Sequence, residues 1–175
     1  MNATQEADGH RAGPYVLAPG EIRRNPLSVP SVKADSHDTA GLLDVFEGRL
    51  APGQPGPPLH LHTREDEALY VLEGTLLVQI GEDRRELTAG GFAWIPRDTP
   101  HAFANAAGTA VRVMNISVPG GLERLFADQS EYFAHLHGAP DLAELGRIGA
   151  RYGGRLLGPP ITAGGQPAPG GHLIP

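Results

Sequence analysis

From residue 42 to residue 118 the chain breaks into short runs of alternating apolar and polar residues, each closed by glycine or an Asx residue. Runs of this length and period read as strands. The pattern predicts them at 42–50, 59–63, 67–72, 75–80, 84–87, 92–95, 101–105 and 110–118. Between them, Glu73-Gly74, Gly81-Glu82-Asp83, Ala89-Gly90-Gly91, Arg97-Asp98-Thr99 and Ala106-Ala107-Gly108 carry the residue types that tight turns require. Regularly spaced strands with no helices between them predict an all-β antiparallel sandwich or barrel, not a βαβ fold.

The period changes after Gly120. Leu122, Leu125, Phe126, Phe133 and Leu136 recur at helical spacing, and Gly138 and Pro140 end that helix. Asp141 then stands where an N-cap belongs, opening a second helix over 141–152. Both helices are expected to pack on the outside of the barrel. The organisation expected is therefore a polar tail at 1–13, a barrel at 14–119 with its core at 40–118, helices at 120–160, and a Pro/Gly-rich extended tail at 161–175.

A length of 175 residues fits one domain. The 24 glycines and 17 prolines reinforce the reading of many turns and short strands. Fourteen basic against 20 acidic residues give a net charge of −6 with no basic stripe, so no nucleic-acid partner is expected. The absence of cysteine excludes disulfides, thiolate metal sites and thiol nucleophiles. The first 13 residues hold no apolar run, and no stretch approaches the ~20 apolar residues of a membrane span. No signal peptide and no membrane partner are expected, and a cytoplasmic location is the default.

The candidate chemistry lies in two stretches. In PPLHLHTREDEALYVLEG, His60 and His62 are two apart on a strand, so both side chains leave the same face as a chelating pair. A turn over 63–66 reverses the chain and brings Glu67 opposite them, on one face with Leu69 and Val71. In AGGFAWIPRDTPHAFAN the same parity groups His101, Phe103 and Asn105. Closure of an antiparallel barrel brings His101 across to the first three. Three imidazoles and one carboxylate make a nitrogen/oxygen donor set suited to one divalent transition metal ion: iron, manganese, nickel, cobalt, copper or zinc. Burying these four groups without such a partner would be costly.

The two stretches resemble the paired motifs of the cupin superfamily, G-x5-H-x-H-x(3–4)-E-x6-G and G-x5-P-x-G-x2-H-x3-N. His60, His62, Glu67 and Gly74 match the first, and Gly90, Pro96, His101 and Asn105 match the second in register. Gln54 occupies the place of the first glycine, with Gly53 and Gly56 flanking it, and Asp98 replaces a glycine of the second motif. Asp tolerates the same turn geometry. The resemblance implies a cupin β-barrel, the double-stranded β-helix of jelly-roll type. The segments 118–126, 150–153 and 158–160 are similar to bacterial monocupins described as quercetin 2,3-dioxygenase-like.

That resemblance implies a metal-dependent dioxygenase acting on a small aromatic or enolisable substrate, flavonol-like or polyketide-like, with dioxygen as co-substrate. Glu67 would be both ligand and general base. Leu69, Val71, Trp94 and Phe103 are candidates for an apolar substrate pocket, although for each alone ordinary barrel packing is the expected role. Asn105 is a candidate partner orienting His101, or else a turn-forming residue at a strand end. Two other functions fit the same residues: a non-oxidative isomerase, cyclase or decarboxylase, and a non-catalytic small-molecule binder. Small cupins of this kind commonly pair, so a homodimer is expected. His135 and His137 fall on the predicted helix, where i and i+2 diverge and cannot chelate together. Of the acidic run Glu65-Asp66-Glu67, only Glu67 fits the ligand spacing, and the rest reads as a solvated turn.

Overall fold

Strands form where the alternation predicts them. The computed structural model describes residues 12–23 and 30–162, so the two expected tails lie outside the described residues except at their inner ends. The elements are β1 (Ser31–Ala34), α1 (Ser36–Thr39), β2 (Asp44–Leu50), β3 (Pro58–His62), β4 (Asp66–Glu73), β5 (Thr75–Ile80), β6 (Asp83–Thr88), β7 (Phe92–Ile95), β8 (His101–Ala104), β9 (Val111–Val118), α2 (Leu122–Ala134), α3 (Leu142–Arg151) and β10 (Gly154–Pro160).

Two five-stranded antiparallel sheets face each other, ordered β1-β2-β9-β4-β7 and β10-β3-β8-β5-β6. This is the cupin double-stranded β-helix, built as two facing sheets and not as one continuous hydrogen-bonded cylinder. Parity along each strand sends Leu69, Val71, Leu76, Ile95 and Val111 into the space between the sheets, all 1% exposed or less. No helix among the described residues is long and apolar enough to cross a membrane.

The segment expected to be helical over 120–160 is helical only to Arg151. Residues Gly154–Pro160 form β10, which pairs with β3 and sets Gly154 opposite His62 and Leu156 opposite His60. Without β10, the histidine-bearing strand β3 would be a sheet edge with unpaired backbone groups. Prolines lack the amide hydrogen a ladder needs, and the register slips between Leu156 and Pro160. The helices do more than decorate the outside. Leu122, Leu125 and Ile148 pack on Val32 and Phe46, and α2 covers one end of the space between the sheets. Helix α2 stops at Ala134, so His135 is its C-cap and His137 lies beyond it; neither belongs to the helix assigned to them from sequence.

The start of α2 is held from the barrel. Its N-cap, Gly121, has no side chain to offer, and Asp44 on β2 substitutes. The Asp44 Oδ2 accepts from the amides of Gly121 (2.9 Å) and Leu122 (2.8 Å) and from the Ser117 hydroxyl (3.2 Å). Burial, reinforced by the neighbouring Glu123 carboxylate, pushes Asp44 from an ordinary 3.8 up to about 6 despite those amides. A folded-state value above the unfolded one means that the protonated form favours the fold. Its contribution is complete below about pH 4 and is lost as pH rises through about 6. Asp44→Asn keeps an oxygen for the amides and removes the titration. Thermal unfolding of wild type should therefore lose stability between pH 4 and 6 at a slope that the variant flattens; parallel profiles would remove Asp44 as the cause.

Candidate metal centre

Strands β3 and β8 are neighbours, and their register places His60 directly opposite His101 with ring centroids 4.3 Å apart. His62, two residues along the same face, has its ring 4.9 Å from that of His60 and 5.6 Å from that of His101. Glu67 comes from β4 in the facing sheet. Its Oε2 lies 3.3 Å from Nε2 of His62 and 3.3 Å from Nε2 of His101. One donor atom from each of the four residues lies within 4.8 Å of the others. His62, Glu67 and His101 are 4%, 2% and 1% exposed.

The local chemistry orients the donors. Nδ1 of His60 faces the Pro58 carbonyl at 2.8 Å, and Nδ1 of His101 faces the Thr99 carbonyl at 2.9 Å. A carbonyl can only accept, so each Nδ1 carries hydrogen and each neutral ring turns the Nε2 lone pair toward the shared centre. Burial, together with His101 and His62, pushes His60 down to about 3, which keeps it neutral. Burial alone would raise Glu67, but the adjoining His101 and His62 rings outweigh it and hold the carboxyl well below its usual range. For His101, burial acts downward and the Glu67 carboxylate reverses it. Nε2 of His101 is buried with no hydrogen-bond partner. Three inward imidazoles, one ionised carboxylate and an orphaned ring nitrogen fit a divalent cation with nitrogen/oxygen preference.

A cavity of about 210 Å³ opens onto His60, His62 and Glu67. Its walls are mainly apolar: Leu50 and Phe103 from the sheets, Leu125, Phe126 and Phe133 from α2, and Leu156 from β10. Of the residues expected to line a pocket, Phe103 does so. Leu69 and Val71 are fully buried in the core between the sheets, which is the packing role. Trp94 is a correction. It pairs with Ala68 while Ala93 and Ile95 take the inward parity of β7, so the indole projects outward, 50% exposed, beside Tyr70 and Phe92.

Asn105 does not touch His101. Its Nδ2 donates to the carbonyls of Leu50 (3.1 Å), Ala51 (2.8 Å) and Thr109 (2.7 Å), and its Oδ1 accepts from the Ala107 amide (3.0 Å), stapling the loop. Both departures from the motif have a structural account. Gly56 supplies the bare backbone of the displaced glycine: its amide donates to the Phe103 carbonyl at 3.1 Å, and a Cβ there would lie 2.9 Å from the Phe103 ring. Asp98 adopts the glycine-like φ of 63° and its amide donates to the His62 carbonyl at 2.7 Å.

Sequence reasoning missed Asn115 and Glu65. Asn115 on β9 donates from Nδ2 to Glu67 Oε1 at 2.7 Å, leaving Oε2 for the histidine side. A polar residue within the alternation Val111, Val113, Asn115 was the available signal. The expected solvated turn is also corrected: Asp66 forms a paired contact with Arg97 (3.0 and 2.9 Å), but Glu65 is only 7% exposed.

Residues 46–117 match the family model described as the cupin domain. Over 135 residues, 75% of this chain, the sequence is 30% identical to quercetin 2,3-dioxygenase of Bacillus subtilis. The match spans 39% of that enzyme's length. It is 26% identical over 106 residues to an uncharacterized protein of Methanocaldococcus jannaschii, covering 61% of this chain and 79% of that one. A conserved protein with a double-stranded β-helix domain from Klebsiella pneumoniae superposes with a TM-score of 0.51 at 20% identity, over 62% of this chain and 93% of its own, a likeness of fold.

Proposed function

We infer, from the match of residues 46–117 to the cupin-domain model, that the chain is a metal-dependent dioxygenase acting on a small aromatic or enolisable substrate. The observation that carries this reading is the largely buried three-histidine, one-glutamate cluster facing a mainly apolar cavity. The likeness to a quercetin 2,3-dioxygenase supports the choice of chemistry. The cavity, about 210 Å³, is below the ~300–1,000 Å³ of sites for drug-sized ligands, which favours a compact substrate.

His60, His62 and His101 would hold the ion through Nε2 and Glu67 through Oε2. A bound divalent metal supplies Lewis acidity to an oxygen-donor substrate and, when redox-active, access to dioxygen chemistry. Asn115 occupies Oε1 of Glu67 and leaves Oε2 turned to the centre, so Oε2 would act as base only as a labile ligand, released from the ion to take the substrate's proton. The protons such a carboxylate could take are those of acidic hydroxyls, such as enols and phenols with electron-withdrawing neighbours. The apolar walls from α2 keep water from competing for that proton.

The test is oxygen uptake by protein reconstituted separately with each of the candidate metals against a panel of flavonols and enolisable diketones. Uptake with at least one metal is expected, and Glu67→Gln should lower kcat by ~100-fold or more, the usual contribution of a positioned base. Turnover of the same panel without oxygen would replace this reading with a non-oxidative isomerase, cyclase or decarboxylase. Binding without any turnover would leave a small-molecule binder.

A further inference from the structure

Two of the three histidines are oriented in the same way, each by a carbonyl two residues earlier in the chain. His62 is the exception. Its Nδ1 is buried with no hydrogen-bond partner. The acidic group facing that nitrogen is Glu65, with Oε2 at 4.0 Å, and this oxygen is likewise buried and without a partner. The two residues are 4% and 7% exposed, so water does not readily substitute for either. Two complementary orphaned groups aimed at each other in a buried place are costly apart and favourable together.

We propose that Glu65 is the positioning residue for His62, its carboxylate taking the Nδ1–H hydrogen bond that backbone carbonyls take at His60 and His101. The proposal rests on the metal-centre reading and deepens it. Closing from 4.0 Å to hydrogen-bond distance needs a movement of about 1 Å, within reach of a side-chain torsion of Glu65 or a tilt of the His62 ring. The other face of that ring presents Nε2 to the centre, 3.3 Å from Glu67 Oε2. Fixing Nδ1 as the hydrogen-bearing atom therefore fixes Nε2 as the donor atom.

A carboxylate at this place does what a carbonyl cannot. Charge-assisted hydrogen bonds are roughly twice as strong as neutral ones, and they make the imidazole a stronger donor. The neighbouring Arg97 is engaged by Asp66 and faces solvent, so it does not take the Glu65 carboxylate for itself.

The experiment compares wild type, Glu65→Gln and Glu65→Leu, each stripped of metal and titrated with Co(II) against a chelator. The visible absorption of Co(II) reports its coordination, and thermal unfolding of the metal-free forms serves as the fold control. Glu65→Leu should weaken Co(II) binding by about 10–100-fold and alter the spectrum, as loss of a partner behind a ligating histidine does. Glu65→Gln, which keeps an acceptor oxygen without the charge, should fall between Leu and wild type; it decides alone if the Leu variant does not fold. Affinity and spectrum unchanged in the variants, with only the metal-free unfolding temperature lowered, would assign Glu65 a purely structural role and overturn the proposal. Failure of wild type to bind Co(II) would instead remove the metal centre on which the proposal stands.

Discussion

His101→Ala is expected to leave a folded protein that no longer retains metal. His101 pairs across β3 and β8 with His60, and its Nε2 is the orphaned donor of the cluster. Its removal deletes one of four candidate ligands and the strand-to-strand contact that aligns a second. The loss should exceed the ~10–100-fold that accompanies removal of an outer hydrogen-bond partner. Elemental analysis after dialysis should find near-stoichiometric metal in wild type and a trace in the variant. Unfolding gives a second readout. A ligand that binds only the native state stabilises it by RT ln(1 + [L]/Kd), about 4 kcal/mol at a thousandfold excess over Kd. Wild type should melt at higher temperature with metal present, and His101→Ala should show no such shift. Stoichiometric metal in the variant would place the ion elsewhere.

Phe46→Ala should produce the largest loss of stability. Phe46 is fully buried on β2 and meets the Phe126 ring edge-on, with centroids 4.9 Å apart and planes at 85°. It is the barrel's contact with α2, in a cluster with Val32, Leu122, Leu125 and Ile148. Truncating a buried phenylalanine costs about 3–5 kcal/mol, a large part of the ~5–15 kcal/mol that holds a domain folded. The effect should also be local. Amide exchange in α2 is expected to accelerate more than exchange in β4 and β9, because the helix loses its anchor while the central strands keep theirs. A loss below about 1 kcal/mol, or uniform acceleration, would show that α2 is held by other contacts.

The sandwich strands were legible in the sequence because alternation and turn residues agree there, and all eight expected strands are present with ends within two residues. The four clustered residues were legible for the same reason: parity fixes His60 with His62, and register supplies His101. What escaped is instructive. GRLLGPP has no strand signature, since two glycines and two prolines argue against one; it is extended because β3 needs a partner. β1 is only four residues long and lies before the alternating region. Trp94 was misplaced although parity gave the answer: Ala93 and Ile95 hold the inward positions of β7 and leave Trp94 facing out. Asn105 was read through the motif, and its contacts are those of a loop staple. Asn115 and Glu65 act through partners distant in sequence or through burial of a turn, which spacing alone does not encode.

The cavity wall has two origins. The floor of ligands and one flank come from within 46–117, the segment matching the cupin model, while α2 and β10 supply the facing flank from beyond it. Leu125, Phe126, Phe133 and Leu156 touch the cavity without belonging to the four-residue cluster. Substitutions within 122–156 can therefore reshape the cavity wall and leave His60, His62, Glu67 and His101 in place. The same partition recommends this closing segment as the place to randomise in a directed-evolution library, with metal content as the check that the four-residue cluster is intact.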